Sequence, residues 1–215
     1  MVNINTKSYW DNRFRSNDWI LSGGEIQTKR FACEQIKFFK IPTTFDGTIV
    51  DFGCALGDAI PIYKRRFKNA KLIGFDISEE AIRKCKEKYG NIADFYQGTY
   101  LDVPKVDVII ASNVLEHLND DKKIAEELLK KCNDLYITVP YKEVLSSCGE
   151  HVNSYDEHSF DYLNPIDYHI YKSKGLMCCN SIFIDVYVKN IIRPLLGKKI
   201  VKPKYEIIYH FQNKK

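Results

Sequence analysis

Three short segments carry the residue types that could do chemistry. In Val50-Asp51-Phe52-Gly53-Cys54-Ala55-Leu56-Gly57-Asp58 an apolar run enters a turn with two glycines. Such a turn at the end of a strand lets a ligand come close to the backbone. A dinucleotide site asks for G-x-G-x-x-G and a helix N-terminus open to a pyrophosphate. Here the spacing is G-x-x-x-G, and Asp51 and Asp58 flank the turn. Two carboxylates repel a pyrophosphate and attract a ligand bearing an onium group. No G-K-[S/T] follows, so a phosphate-cradling P-loop is excluded. A tight bend with no ligand is the competing reading of the glycines taken alone.

In Leu72-Ile73-Gly74-Phe75-Asp76-Ile77-Ser78, Asp76 closes a strand about 20 residues beyond the turn, where an acid can accept from both hydroxyls of a ribose. Ile77 could pack on a base, and service to the helix start at Ser78 is the plainer role for Asp76. In the third segment, Val106–Leu118, a buried strand ends in Ser112, Asn113 and Val114 before Leu115-Glu116-His117-Leu118.

Polar side chains crowd a fourth stretch, Cys148–Phe160, which follows the fifth strand and so lies above the same sheet edge. His151 is the candidate general base, with Glu150 or Asp156 to orient it. His117 is grouped with it as a catalytic candidate. A hydrogen-bonded connector is the alternative for this loop. Glu116, His117, His151 and His158 could also assemble a metal site, but Asn113 stands where another acid would be wanted. No metal is expected.

The elements that position these residues follow from patterning. Short apolar runs at 48–52, 71–75, 93–97, 106–111 and 135–139 alternate with helical stretches at 58–67, 79–88 and 120–131. Glu79 and Glu80 follow Ser78, and Asp120 and Asp121 open the later helix, as the helix dipole favours. Such alternation predicts an α/β fold: a doubly wound, mostly parallel seven-stranded sheet with helices on both faces. Residues 28–40 read as a helix stopped by Pro42, and 1–27 as an aromatic-bearing cap. Beyond Pro140 the expectation is a helix near 165–174, strands at Met177–Ile184 and Lys204–Phe211 with the last one antiparallel, and a helical insertion over 185–203. A single domain over 1–215 is expected, divided as 1–40 cap and helix, 48–140 core, and 141–215 substrate-side loop, closing strands and insertion.

Composition sets the outer limits. The 215 residues carry 32 basic and 28 acidic side chains, a net charge of +4. That is too small to argue for nucleic acid. Seven cysteines without a C-x-x-C pair fit a reducing cytosol better than a disulfide framework or a zinc ribbon. With no leader-like N-terminus and no long apolar stretch, a cytoplasmic protein without membrane contact is expected.

Taken in order, VDFGCALGD, GFDIS and VIIASNVLEHL resemble the class I S-adenosylmethionine-dependent methyltransferases, especially the small-molecule branch, over residues 48–140. The resemblance implies S-adenosylmethionine as cofactor and S-adenosylhomocysteine as product. It assigns Asp51, Gly53 and Gly57 to the methionine end and Asp76 to the ribose; Cys54, Asp58 and Ile77 are further cofactor-binding candidates. Thr99 and Tyr100 stand beside the adenine amine, where an acid is common. Asn113 and Val114 lie near the methyl, and Trp10 sits in a cap closing over the cofactor. The reaction expected is methyl transfer to O or N of a small polar acceptor, with a sugar or surface-polysaccharide precursor preferred. An RNA or protein methyltransferase and a non-catalytic cofactor-binding partner are the alternatives, and an NAD reductase a more distant one. Nucleic acid is disfavoured because no N/D-P-P-Y/F follows the fourth strand. Monomer and homodimer both remain open.

Overall fold

Strands form where β-branched and aromatic residues run without polar interruption. The computed structural model describes residues 4–145, 148–173, 187–200 and 202–213. Its strands are β1 (Thr48–Phe52), β2 (Lys71–Asp76), β3 (Asp94–Gln97), β4 (Val108–Ser112), β5 (Asp134–Pro140), β6 (Asp167–Ser173) and β7 (Lys204–Gln212). They make one sheet in the order β3-β2-β1-β4-β5-β7-β6. The first five are parallel, and β7 runs antiparallel to both of its neighbours.

Side-chain alternation along the strands divides the core into two layers. Val50, Phe52, Ile109 and Ala111 meet Ile124, Ala125 and Leu128 of α6 (Asp121–Leu129). The intervening Ile49, Leu72 and Ile110 meet Ala32 of α3 (Gly24–Gln35), Tyr63 of α4 (Ile60–Arg66) and Ile82 of α5 (Glu79–Tyr89). The doubly wound sheet expected from the sequence is therefore present, and its last strand is antiparallel.

The helix expected near 165–174 is instead strand β6. Its residues alternate between exposed and half-buried along most of its length, because it is the sheet's outer edge and pairs only with β7. The expected strand Met177–Ile184 lies outside the described residues. The described part of the insertion holds short helical turns at Lys189–Ile192 and Pro194–Leu196. No helix among the described residues is long and apolar enough to cross a membrane.

The polar N-terminus forms two further helices, α1 (Lys7–Arg15) and α2 (Asp18–Leu21). A buried acid docks α1 on the core. Asp11 accepts from the Ser78 hydroxyl at 2.6 Å and from the Glu80 amide at 3.2 Å, at the mouth of α5. Lys7 neutralises it from within α1 at 2.8 Å.

The loop after β3 is held by one cation. Lys131 Nζ donates to the carbonyls of Tyr100, Leu101 and Val103 at 2.7, 2.7 and 2.8 Å. Replacing Lys131 with Met leaves these carbonyls without that donor. We expect a loss of roughly 1.5–3 kcal/mol in denaturant unfolding, the range for hydrogen bonds to charged groups. An unchanged midpoint would show that water replaces the lysine without cost.

Candidate active site

One cavity of about 600 Å³ opens at the carboxyl edge of the parallel strands, under α1. Towards β2 and β3 it is bordered by Asp51, Gly53, Asp76, Ile77, Thr99 and Tyr100. Towards β5 and β7 it is bordered by Asn113, Glu116, His117, Glu143, His151 and Glu206.

The turn after β1 is shaped by glycine. Gly53 has φ +74°, and a Cβ there would stand 2.2 Å from Cγ2 of Val114. Only glycine fits that close approach to the turn after β4. Asp76 braces the same turn: its Oδ2 accepts from the Ala55 amide and its Oδ1 from the Ser78 amide, both at 2.9 Å. Each oxygen keeps a further lone pair for a ligand. Burial pushes the Asp76 carboxyl up, the two amides pull it back, and it settles at about 6. Burial, and then the charge of Asp76, push Asp51 to about 7. Two acids with raised pKa values thus face one cavity.

Some expected assignments fail. Asp58 does not face the cavity. It is buried against Lys88 Nζ and the Tyr89 hydroxyl, both at 2.9 Å, because α4 begins by turning it towards α5. Gly57, with φ +73°, packs towards Cys85, Tyr89 and Phe95, so its role is the bend itself. Asp156 lies outside the cavity, where it accepts from the His158 amide and Ser159 hydroxyl of its own loop. Glu150 does reach the rim, but it pairs with Arg13 and Tyr9 of α1 and not with His151. Cys54, Ile77, Thr99, Tyr100, Asn113, Val114 and Trp10 all line the cavity.

The partner of His151 is Glu143, whose other oxygen accepts from Lys204 Nζ at 2.7 Å. Burial opposes ionisation of Glu143, yet the hydrogen bonds from His151 and Lys204 hold it at about 2. Neither Glu143 nor Lys204 stood out in the sequence, because neither sits in a motif. Glu206 was missed for the same reason. It lies on β7 beside β5, receives the Asn113 amide at 3.0 Å, and is pushed by burial to about 8. Asn113 itself adopts φ +54°, a conformation asparagine tolerates. Glu116 is 1% exposed, and burial raises its carboxyl well above the usual range.

His117 and His151 meet at ring centroids 4.8 Å apart because their backbones are tied together. The amides of Val152 and Asn153 donate to the Glu116 carbonyl at 2.8 and 3.3 Å. The Asn153 side chain donates to the carbonyls of Leu115 and Leu118. From above, Trp10 meets the His117 ring edge-on at 5.3 Å, and Arg13 lies over Trp10 and Trp19.

With this geometry in hand, the chain was compared with known proteins. It matches the family described as "Methyltransferase domain" over residues 50–135. The YcgJ protein of Bacillus subtilis superimposes with a TM-score of 0.62 at 14% identity, over 86% of this chain and 99% of that one. The chain has the fold of the class I S-adenosylmethionine-dependent methyltransferases, and its residues 50–135 match a methyltransferase family. Magnesium protoporphyrin IX methyltransferase from Synechocystis PCC 6803, solved with bound S-adenosylhomocysteine, superimposes with a TM-score of 0.58 at 15% identity, over 89% of this chain and 84% of that one. In sequence, a trans-aconitate 2-methyltransferase from Azoarcus is 27% identical over 94 residues, 42% of this chain and 37% of that protein. The matched stretch thus spans little more than a third of that curated relative's length.

The buried ring of His117 is a further handle on the site. Burial first, and then the charges of His151 and Arg13, push its pKa down to about 3. Its NMR ring signals should stay those of a neutral imidazole from pH 8 to pH 5. A titration centred near the ordinary histidine value of about 6.5 would contradict the enclosed position given to it.

Proposed function

We propose that this chain transfers a methyl group from S-adenosylmethionine to an oxygen or nitrogen of a small polar acceptor. The observation that carries the reading is the joining of two unlike ends in one cavity: Asp51 and Asp76 on one side of Gly53, and Glu116, His117, Glu143 and His151 on the other.

The first end fits the cofactor chemically. A cavity of about 600 Å³ lies within the roughly 300–1,000 Å³ usual for small-ligand sites. Asp51 is a buried acid pushed to about 7, and a ligand ammonium beside it would restore its charge. Asp76 has lone pairs left for two ribose hydroxyls. Ile77 offers an apolar surface, and Thr99 a hydroxyl near the base. The bound cofactor supplies an electrophilic methyl on sulfur. In the transfer, an acceptor lone pair forms the new bond to the methyl carbon as the carbon–sulfur bond breaks, with its electrons left on sulfur. The acceptor's proton leaves. The protein's contribution is mainly placement, with the reacting atoms held in line at about 3–3.5 Å. Trp10 and Arg13 of α1 border the cavity and would shield the reacting centre from water once a ligand is bound.

The second end bears on the acceptor. Glu116 and Glu206 are buried acids there, and burial favours the protonated form of both. Hydroxyl-rich acceptors, of which sugars and surface-polysaccharide precursors are the preferred class, can donate to these acids.

Two consequences can be measured by titration calorimetry with S-adenosylhomocysteine. Asp76→Ala should weaken binding about 100-fold, as two hydrogen bonds to a charged group are lost. Wild-type affinity should rise from pH 5.5 to 7.5. The free protein holds a proton on Asp51 below about 7, and an ammonium ligand must displace it. Asp51→Asn should flatten this rise. Equal affinity for NAD, or no loss in Asp76→Ala, would remove the cofactor assignment.

A further inference from the structure

At the acceptor end, neither carboxyl oxygen of Glu116 has a hydrogen-bond partner of ordinary geometry, although both are buried. Its ionised form is disfavoured there unless a cation or a donor from outside the chain meets it. The nearby cations are already engaged. Arg13 is paired with Glu150, and Lys204 with Glu143.

The two histidines beside it are turned to offer lone pairs. Nδ1 of His117 is 3.1 Å from the Glu150 carbonyl, which can only accept, so Nδ1 carries the proton. Nδ1 of His151 is held in the same way by the Glu143 carboxylate. In both rings Nε2 is left as the free base. A carbonyl or carboxylate on the far ring nitrogen is the arrangement that orients histidines bound to metals. One ligand atom from each of Glu116, His117 and His151 lies within 4.8 Å of the other two. The clamp between residues 152–153 and the 115–118 turn holds the three in place before any ligand arrives.

We propose that Glu116, His117 and His151 bind one divalent transition-metal ion at the acceptor end of the cavity. Two imidazoles and one carboxylate suit first-row ions such as zinc, cobalt, iron or manganese and disfavour magnesium, which prefers oxygen ligands. Asn113, whose amide serves Glu206, is not needed as a ligand. The missing acid at that position, which argued against a metal in the sequence, is thereby made good by a histidine from a distant loop. His158, the other histidine weighed there, is exposed and pairs with Asp161.

Three protein ligands leave coordination positions open to the acceptor. Its role in catalysis rests on the methyltransferase reading; its binding does not. An oxygen acceptor on the ion loses its proton to water more readily, because the ion stabilises the oxyanion. His151 then serves as a ligand in place of the general base expected from the sequence.

The test is a titration of the chelator-stripped full chain with Co²⁺, followed by visible absorption. We expect one bound ion with the spectrum of nitrogen and oxygen ligands. Binding should be lost in His151→Ala and Glu116→Gln. It should weaken roughly 10–100-fold in Glu143→Gln, which removes only an orienting charge. Thermal melting and S-adenosylhomocysteine binding check that each variant is folded, and they separate failure of the metal site from failure of the cofactor reading. No Co²⁺ bound by a folded, cofactor-binding wild type would overturn the proposal. So would a thiolate-to-cobalt charge-transfer band, or binding unaltered in both ligand variants.

Discussion

Burial of carboxylates at the carboxyl edge of a parallel sheet is the constraint on which this structure turns. Asp51, Asp58, Asp76, Glu116 and Glu206 are all taken out of water, and each must be neutralised, bonded or matched by a ligand. The chain answers differently at each. Asp58 has its own cation in Lys88. Asp76 is bonded by two amides of the turn it braces. Asp51 and Glu116 have no such answer within the protein, and both border the cavity. Asp58 serves the fold, whereas Asp76 and Glu206 are bonded within the protein and still border the cavity.

The same view explains how far the sequence could be read. The first five strands are legible because each is buried on both faces, and continuous apolar runs survive as a signal in one sequence. The edge strand β6 was read as a helix because Asp167-Tyr168-His169-Ile170-Tyr171-Lys172-Ser173 offers alternating aromatic and polar residues without an apolar run. Its identity comes from pairing with β7, a partner more than 30 positions away. Asp51, Gly53 and Asp76 were legible because turn geometry fixes them locally. Asp58 was misread because one step past the turn the helix carries its side chain to the other side.

The acceptor end was only half legible. Glu116 and His117 follow β4 directly, but the loop that brings His151 to them is positioned by amides of residues 152–153 on the Glu116 carbonyl. No spacing rule announces such a contact. Glu143, Lys204 and Glu206 reach the site from strand ends that the sheet order brings side by side, and order is a property of the whole fold. The N-terminal cap was visible in its aromatics, whereas its anchor, Asp11 on Ser78, looked like any surface acid.

One structure would test the central claim directly: a crystal of the full chain grown with S-adenosylhomocysteine. The account predicts the ligand in the cavity under α1, its ammonium at Asp51, its ribose hydroxyls at Asp76 and its sulfur turned towards Glu116 and His117. A ligand bound elsewhere, or in this cavity with its ribose away from Asp76, would contradict it.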